Sequence, residues 1–132
     1  MSEQENIQHT RDIYAAFGRG DVAAIMQALT DDIDWVIPGP SELPHAGTRH
    51  GKQAVQEWFG VFAQTVEYHR FEPYDFIAQG DKVVALIHVE GTMRHSHGTL
   101  AMDEANVLTF RDGKLARFQT FEDTAANMTA FR

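Results

Sequence analysis

The sequence predicts an α+β domain: a curved antiparallel sheet with three N-terminal helices packed on its concave face, enclosing a cone. Three observations carry this. Helical periodicity occupies most of the first half of the chain and strand alternation the second. The strand candidates reach about 10–13 residues, longer than the usual 5–6, and long antiparallel strands twist and curl. Gln79-Gly80-Asp81 and Asp112-Gly113 divide these strands, and an Asp-Gly pair suits a tight hairpin turn because both residues tolerate positive φ.

The first helix presents Ile7, Tyr14 and Phe17 on one face, with Ile13 and Ala16 beside them, and Gly18 and Gly20 end it. Asp21 is an N-cap candidate for a second helix, since its carboxylate can accept from orphan N–H groups. Val22, Ile25, Met26 and Leu29 follow at i, i+3, i+4 and i+7. Asp31 to Ile37 reads as a strand with Ile33, Trp35 and Ile37 on one face. Pro38-Gly39-Pro40-Ser41-Glu42-Leu43-Pro44 forces an irregular loop. Gly51 to Val66 is the clearest helix, with Val55, Trp58, Phe59, Phe62 and Val66 as its stripe, and Pro73 bars its continuation. Strands are expected over Phe71–Ala78, Lys82–Arg94, Thr99–Arg111 and Leu115–Glu122, with His95-Ser96-His97-Gly98 as one reversal. Asp123 to Arg132 forms a short closing helix capped by Asp123 or Thr124. No repeat, low-complexity tract or linker interrupts residues 1–132, which read as one domain.

Composition narrows the function classes. The chain has 132 residues, enough for a core without disulfides or a structural metal. Eleven basic against 19 acidic residues give a formal net charge of −8. With no Lys/Arg cluster to offset it, that charge disfavours nucleic acid and anionic membrane as partners. There is no cysteine, so disulfides, thiolate nucleophiles and Cys-type zinc sites are excluded, and a cytoplasmic setting is expected. Met1-Ser2-Glu3-Gln4-Glu5 is polar and acidic, unlike a signal peptide. No apolar run approaches the ~18 residues of a membrane span.

Tyr14-Ala15-Ala16-Phe17 with Gly20-Asp21, Pro38-Gly39-Pro40 after the Trp35 strand, and Ala46-Gly47-Thr48-Arg49-His50-Gly51 opening the third helix form a pattern. Phe110-Arg111-Asp112-Gly113-Lys114-Leu115 and Asp123-Thr124-Ala125 complete it. On these pieces, spread over nearly the whole chain, the sequence resembles the nuclear transport factor 2-like superfamily. Within it, the resemblance is to the SnoaL-like and ketosteroid-isomerase-related proteins. The resemblance implies a cystatin-like α+β barrel with a pocket lined by alternate residues of the long strands. It is specific for fold and weakly specific for activity, because the superfamily holds isomerases, dehydratases, cyclases, epoxide hydrolases and non-catalytic binding domains. It also implies that the isomerases' general-base aspartate falls at Ile37, so that base is absent. Their helical tyrosine falls near Ile13 rather than Tyr14, and their neutral second donor falls near Asn106, whose amide donates without a pKa shift.

On the Lys82–Arg94 strand, Val84, Leu86, His88, Glu90 and Thr92 share one face and Val83, Ala85, Ile87, Val89, Gly91 and Met93 the other. The resemblance puts the first set inside the cone. His88 and Glu90 then stand about 7 Å apart on the pocket wall, where an imidazole and a carboxylate serve as acid and base. The reverse assignment leaves the pair on a solvated or dimer-facing surface. The apolar set fits a core or the interface of a homodimer formed through the outer face of the sheet.

The resemblance also points Glu104 and Asn106 inward, Asn106 as a carbonyl partner and third catalytic candidate beside His88 and Glu90. Phe118 and Thr120 form the matching set on the final strand, with Glu122 at a solvated rim. Trp35, Ile37, Leu86, Glu104, Phe118, Thr120 and Tyr14 are the substrate-binding candidates, and Trp58 reads as plain core. His95 and His97 are compatible with Zn²⁺ or Cu²⁺, but no third ligand is identifiable, and His45 and His50 read as loop residues; no metal and no cofactor is expected. An epoxide hydrolase's Asp–Arg–Asp relay would need Asp103 inside, where alternation opposes Glu104 and Asn106. The expected partner is a small apolar or aromatic molecule. The function expected is cofactor-free isomerisation, dehydration or cyclisation by proton transfer, with a non-catalytic binding or dimerisation module as the alternative.

Overall fold

The computed structural model describes residues 2–132. Helix α1 (Glu3–Gly18) opens with a capping box. The Ser2 hydroxyl accepts from the Glu5 N–H at 3.1 Å while the Glu5 carboxylate accepts from the Ser2 N–H at 3.1 Å, satisfying two orphan donors at once. Gly20, at φ +71°, lets the chain reverse into α2 (Val22–Gln27). Asp21 caps α2 as expected, accepting from Ala24 N–H at 3.0 Å.

Strands β1 (Leu29–Ile37) and β2 (Gly47–His50) flank the proline-rich loop, and α3 (Lys52–Thr65) follows. The strands β3 (Val66–Gln79), β4 (Lys82–Met93), β5 (Thr99–Arg111) and β6 (Lys114–Phe121) form the meander, closed by α4 (Thr124–Phe131). Asp123 caps α4 by accepting from Ala126 N–H at 3.0 Å.

One six-stranded sheet runs in the order β2-β1-β6-β5-β4-β3. It is curved but open, with β2 and β3 as edges, rather than a closed barrel. β1 joins β6 in parallel, placing Trp35 opposite Phe118, and every other pairing is antiparallel. β2 escaped the sequence reading because four residues after a proline-rich loop carry too little alternation. β3 starts at Val66, directly from α3, five residues ahead of the expected Phe71. Its Pro73 is tolerated because an edge strand has one row of unpaired N–H groups, and the register shifts between Pro73 and Asp75. No described helix is long and apolar enough to cross a membrane.

The sheet's inner face carries the core. Val83, Ala85, Ile87 and Val89 of β4 are fully buried, as are Ile33 and Leu108. This corrects the expected orientation of β4. Ala85 pairs with Asn106 and Ile87 with Glu104, so odd residues of β4 share a face with even residues of β5. His88, Glu90 and Leu86 therefore lie on the convex face, half exposed. The apolar set offered to a dimer interface is instead the core.

Candidate functional site

Between the inner face of the sheet and helices α1 and α3 lies a cavity of about 60 Å³, counted as the volume open to the centre of a water-sized sphere. One water needs roughly 10–15 Å³ on that measure. The space suits a ligand of roughly one aromatic ring without rearrangement.

Aromatic side chains build the walls, and the sheet register positions them. Trp35 of β1 stacks on its register partner Phe118 of β6 at 4.1 Å and 20°. Trp58 of α3 stacks on Phe62 at 4.9 Å and 15°, one turn along the same helix. Such pairs contribute about 0.5–1.5 kcal/mol beyond their buried area, which helps the cavity keep its shape.

A chain of polar groups crosses this apolar lining. The Tyr14 hydroxyl of α1 donates to Asn106 Oδ1 at 2.9 Å, and Asn106 Nδ2 donates to Thr120 Oγ1 at 2.8 Å. Asn106 and Thr120 are register partners on β5 and β6. The chain orients both ends: the Tyr14 oxygen keeps lone pairs for an incoming donor, and the Thr120 hydroxyl passes its proton on toward the Glu122 carboxyl.

Glu104, on the same face of β5, is 7% exposed. Burial pushes its carboxyl up to about 9, and the Glu122 carboxyl beside it adds to the rise. Burial also raises Glu122, although bonds from Asn127 and Thr120 favour its charged form. With no proton on either carboxyl, Glu104 Oε2 has no partner among the described residues. A proton held between the two supplies one, as expected when neighbouring buried carboxyls oppose each other's ionisation. The Tyr14 and Tyr68 hydroxyls are pushed up by burial and then by Glu104, so both stay protonated.

Two more buried polar groups beside the cavity lack partners among the described residues: Trp35 Nε1 and His45 Nδ1. His45 sits in the loop between β1 and β2. Its carbonyl accepts from Trp58 Nε1 at 2.7 Å and from Arg49 Nη1 at 3.1 Å, and Arg49 also donates to the carbonyls of Pro44 and Ala46. These bonds fix an otherwise irregular loop. Burial, helped by the Arg49 charge, drops the His45 imidazole to about 4, so it is neutral at pH 7.

The structure brings Tyr14, Trp35, Ile37, Glu104, Asn106, Phe118 and Thr120 to one cavity. It does not bring His88, Glu90 or Leu86 there. His88 instead bonds Glu90 at 2.8 Å and Asp103 at 3.0 Å on the convex face. Those two carboxylates, Glu90 foremost, raise its pKa and so favour its protonated form. Exchange of His88 for alanine is expected to change cavity-ligand affinity by less than about twofold, since the sites share no partner. A fluorescence titration checks this, and a large loss would return the pair to the site.

Trp58 belongs to the core, as expected, and also lines the cavity, while Glu122 is half-buried beside the cavity rather than solvated. Both Ile13 and Tyr14 line it, so the one-residue offset along α1 leaves the tyrosine within reach of Asn106. Sequence reasoning missed Tyr68, because β3 was started too late, and His45, because a loop histidine carries no periodic signal. His95 packs edge-on against Phe131 at 4.4 Å, and His97 occupies the turn at φ +62°. Among the described residues no three His, Asp or Glu side chains are grouped to hold an ion.

Comparisons with known proteins agree with this architecture. A model of the SnoaL-like domain matches residues 10–118. An NTF2-like protein from Burkholderia xenovorans LB400 is 33% identical, covering 100% of this chain and 99% of its own, with a TM-score of 0.92. An NTF2-like protein of unknown function from Burkholderia pseudomallei K96243 is 28% identical, over 99% and 98%, with a TM-score of 0.90. TerC, co-crystallised with polyporic acid, is 28% identical, over 96% and 98%, with a TM-score of 0.86. No curated protein matches the sequence.

Proposed function

This chain belongs to the SnoaL-like domain family, and on that premise we propose that it holds a small, largely apolar carbonyl- or hydroxyl-bearing molecule in its cavity. It acts on that molecule by cofactor-free proton transfer, as an isomerase, dehydratase or cyclase does. The supporting observation is the Tyr14–Asn106–Thr120 chain beside the Glu104 carboxyl, all inside aromatic walls. A carboxyl kept protonated at neutral pH can donate to a carbonyl oxygen, and in a water-excluded site that donation counts for more than in bulk solvent. Asn106 orients the hydroxyls at both ends of that chain, and Trp35 and Phe118 hold a flat ring.

Titration with 1-phenylpropan-2-one, and with the polyporic acid found with TerC, tests the reading through tryptophan fluorescence. Saturable quenching is expected with at least the single-ring ketone. Asn106→Leu should weaken it about tenfold, because the Tyr14 and Thr120 hydroxyls lose their shared partner. Quenching that never saturates with either compound would sink the proposal.

Ile37 favours a second reading. It lines the cavity where the isomerases' base would stand and brings no titratable group, which suits a binding module without turnover.

The homodimer remains a proposal, still through the outer face of the sheet, but with the even-numbered residues of β4 on that face. Leu86 pairs with Ala105, Ala105 with Phe121 and Val84 with Val107, giving a contiguous apolar strip on the convex face. Phe121 at its end is 53% exposed. A second copy of this chain is the occupant proposed. Leu86→Glu should convert a dimer to monomer in sedimentation; a wild-type monomer would refute it.

A further inference from the structure

Proton transfer in the cavity, the reading on which this inference rests, still lacks a base. Ile37 is apolar, the Asn106 amide does not titrate near neutrality, and His88 and Glu90 lie on the opposite face of the sheet. We infer that His45 is the catalytic base, working with Glu104 as the acid, and that the substrate is a small ring-bearing (arylalkyl) ketone with a removable α-proton.

The geometry around His45 is that of a group held for a ligand. Its side chain lines the cavity and is 4% exposed, and Nδ1 has no hydrogen-bond partner among the described residues. A buried histidine in a structural role normally has both nitrogens satisfied. The bonds that fix this loop are donated by Arg49 and Trp58 to backbone carbonyls, including His45's own. The imidazole is therefore positioned but not consumed. Its ring meets Phe62 edge-on at 5.3 Å and 79°, which sets its orientation.

The other titratable groups facing the cavity are Tyr14 of α1, Tyr68 of β3, Glu104 of β5 and Glu122 after β6. Arg49 of β2 is the charged group behind His45. At neutral pH this environment leaves the imidazole without its proton and the Glu104 carboxyl with one. Base and acid are thus both in their working forms, the arrangement that identifies paired roles in a site. The aromatic walls and the volume for roughly one ring select an aryl group, and the donors select a carbonyl.

The step balances without an oxidant or co-reactant. A ring nitrogen of His45 takes the α-proton. The C–H electron pair becomes the C=C bond of an enol as the carbonyl π pair moves to oxygen. That oxygen takes the proton of Glu104, leaving the Glu104–Glu122 pair with one proton fewer. Return of the His45 proton to carbon, and of the enol proton to Glu104, restores the site. In D₂O each passage through the enol exchanges α-hydrogen for deuterium.

The test is loss of the α-proton signals of 1-phenylpropan-2-one in D₂O, followed by proton NMR with the full chain. Wild-type protein should exchange them well above the buffer rate. His45→Gln and His45→Phe should slow exchange by about 10²-fold or more, the usual range for a lost general base. Phe keeps the ring packed against Phe62, so an intact thermal transition with lost exchange separates catalysis from folding. The wild-type rate should rise with pH through about 4 and fall through about 9, and His45→Phe should abolish the acid limb. Exchange equal to wild type in both His45 variants would overturn the assignment. So would a bound ketone that the wild type exchanges no faster than buffer, although the cavity reading would survive. A ketone that fails to bind would bring down both.

Discussion

Glu104→Gln is expected to make the protein more stable at pH 8 and to leave it unchanged at pH 4. In the fold the Glu104 carboxyl keeps its proton up to about 9, because burial and then the Glu122 charge oppose ionisation. In the unfolded chain an ordinary glutamate loses it near 4.3. Below that value both states are protonated, and the group adds nothing to the pH dependence. As pH rises further, the unfolded state releases a proton that the folded state retains. Stability therefore falls with pH, by up to about 1.4 kcal/mol per unit, and levels off above the folded value. Glutamine removes that slope, and its amide still donates to Glu122. A gain of ~2 kcal/mol at pH 8 is a conservative figure for a buried group of this kind. It corresponds to a rise of about 7 °C in Tm for a chain of this length. Urea unfolding between pH 4.5 and 9 measures it. Identical pH slopes in the two proteins would mean that Glu104 ionises inside the fold. The variant should also lose most α-proton exchange while still binding a ketone. Stability gained where activity is lost is the pattern of a functional site.

Gly98→Ala is expected to destabilise the protein by ~3 kcal/mol, the upper range for forcing atoms into packed structure. A Cβ on Gly98 would overlap the Ala130 carbonyl oxygen, with the Ala130 carbonyl carbon 2.8 Å away. Backbone cannot yield as a side-chain tip can. The Ser96 hydroxyl donates to the same Ala130 oxygen, and Met93 N–H donates to the Gly98 oxygen, so turn and helix are locked together. The methyl would push α4 away from the sheet, and α4 carries the Asn127 amide that donates to Glu122 at 2.9 Å. Thermal unfolding should show a fall of about 10 °C, with weaker ketone quenching at temperatures where the variant is still folded. A Tm within a degree or two of wild type would show that α4 moves freely.

Much of the site was legible because strand alternation and turn chemistry are local. Asp112-Gly113 placed the last hairpin, with Asp112 at φ +52° and Gly113 at φ +80°. The family resemblance pointed one face of β5 and β6 inward, and counting residues gave its members. That is how Glu104, Asn106, Phe118 and Thr120 were found together. β4 went the other way because its face depends on the length of the turn before β5. Met93 N–H donates to Gly98 O, closing a turn through residues 94–97. One residue more or fewer in that turn would have put His88 and Glu90 inside. The sequence held a contrary signal. Every member of the Val83–Met93 set is apolar or glycine, whereas the set containing His88 and Glu90 is mixed. Hydrophobic burial alone selects the first as the inner face.

From the sequence alone came the α+β class, the helix caps at Asp21 and Asp123, and the alternation that groups the residues of the last two strands into faces. Each rests on chemistry within a few residues. The tertiary structure decided what depends on contacts between distant segments. It set the register that turns His88 outward and the parallel pairing that stacks Trp35 on Phe118. It seated Tyr14 on Asn106, 92 residues apart. It also brought His45, Glu104 and Glu122 around one cavity, and burial there, not residue type, leaves an imidazole unprotonated and a carboxyl protonated at the same pH.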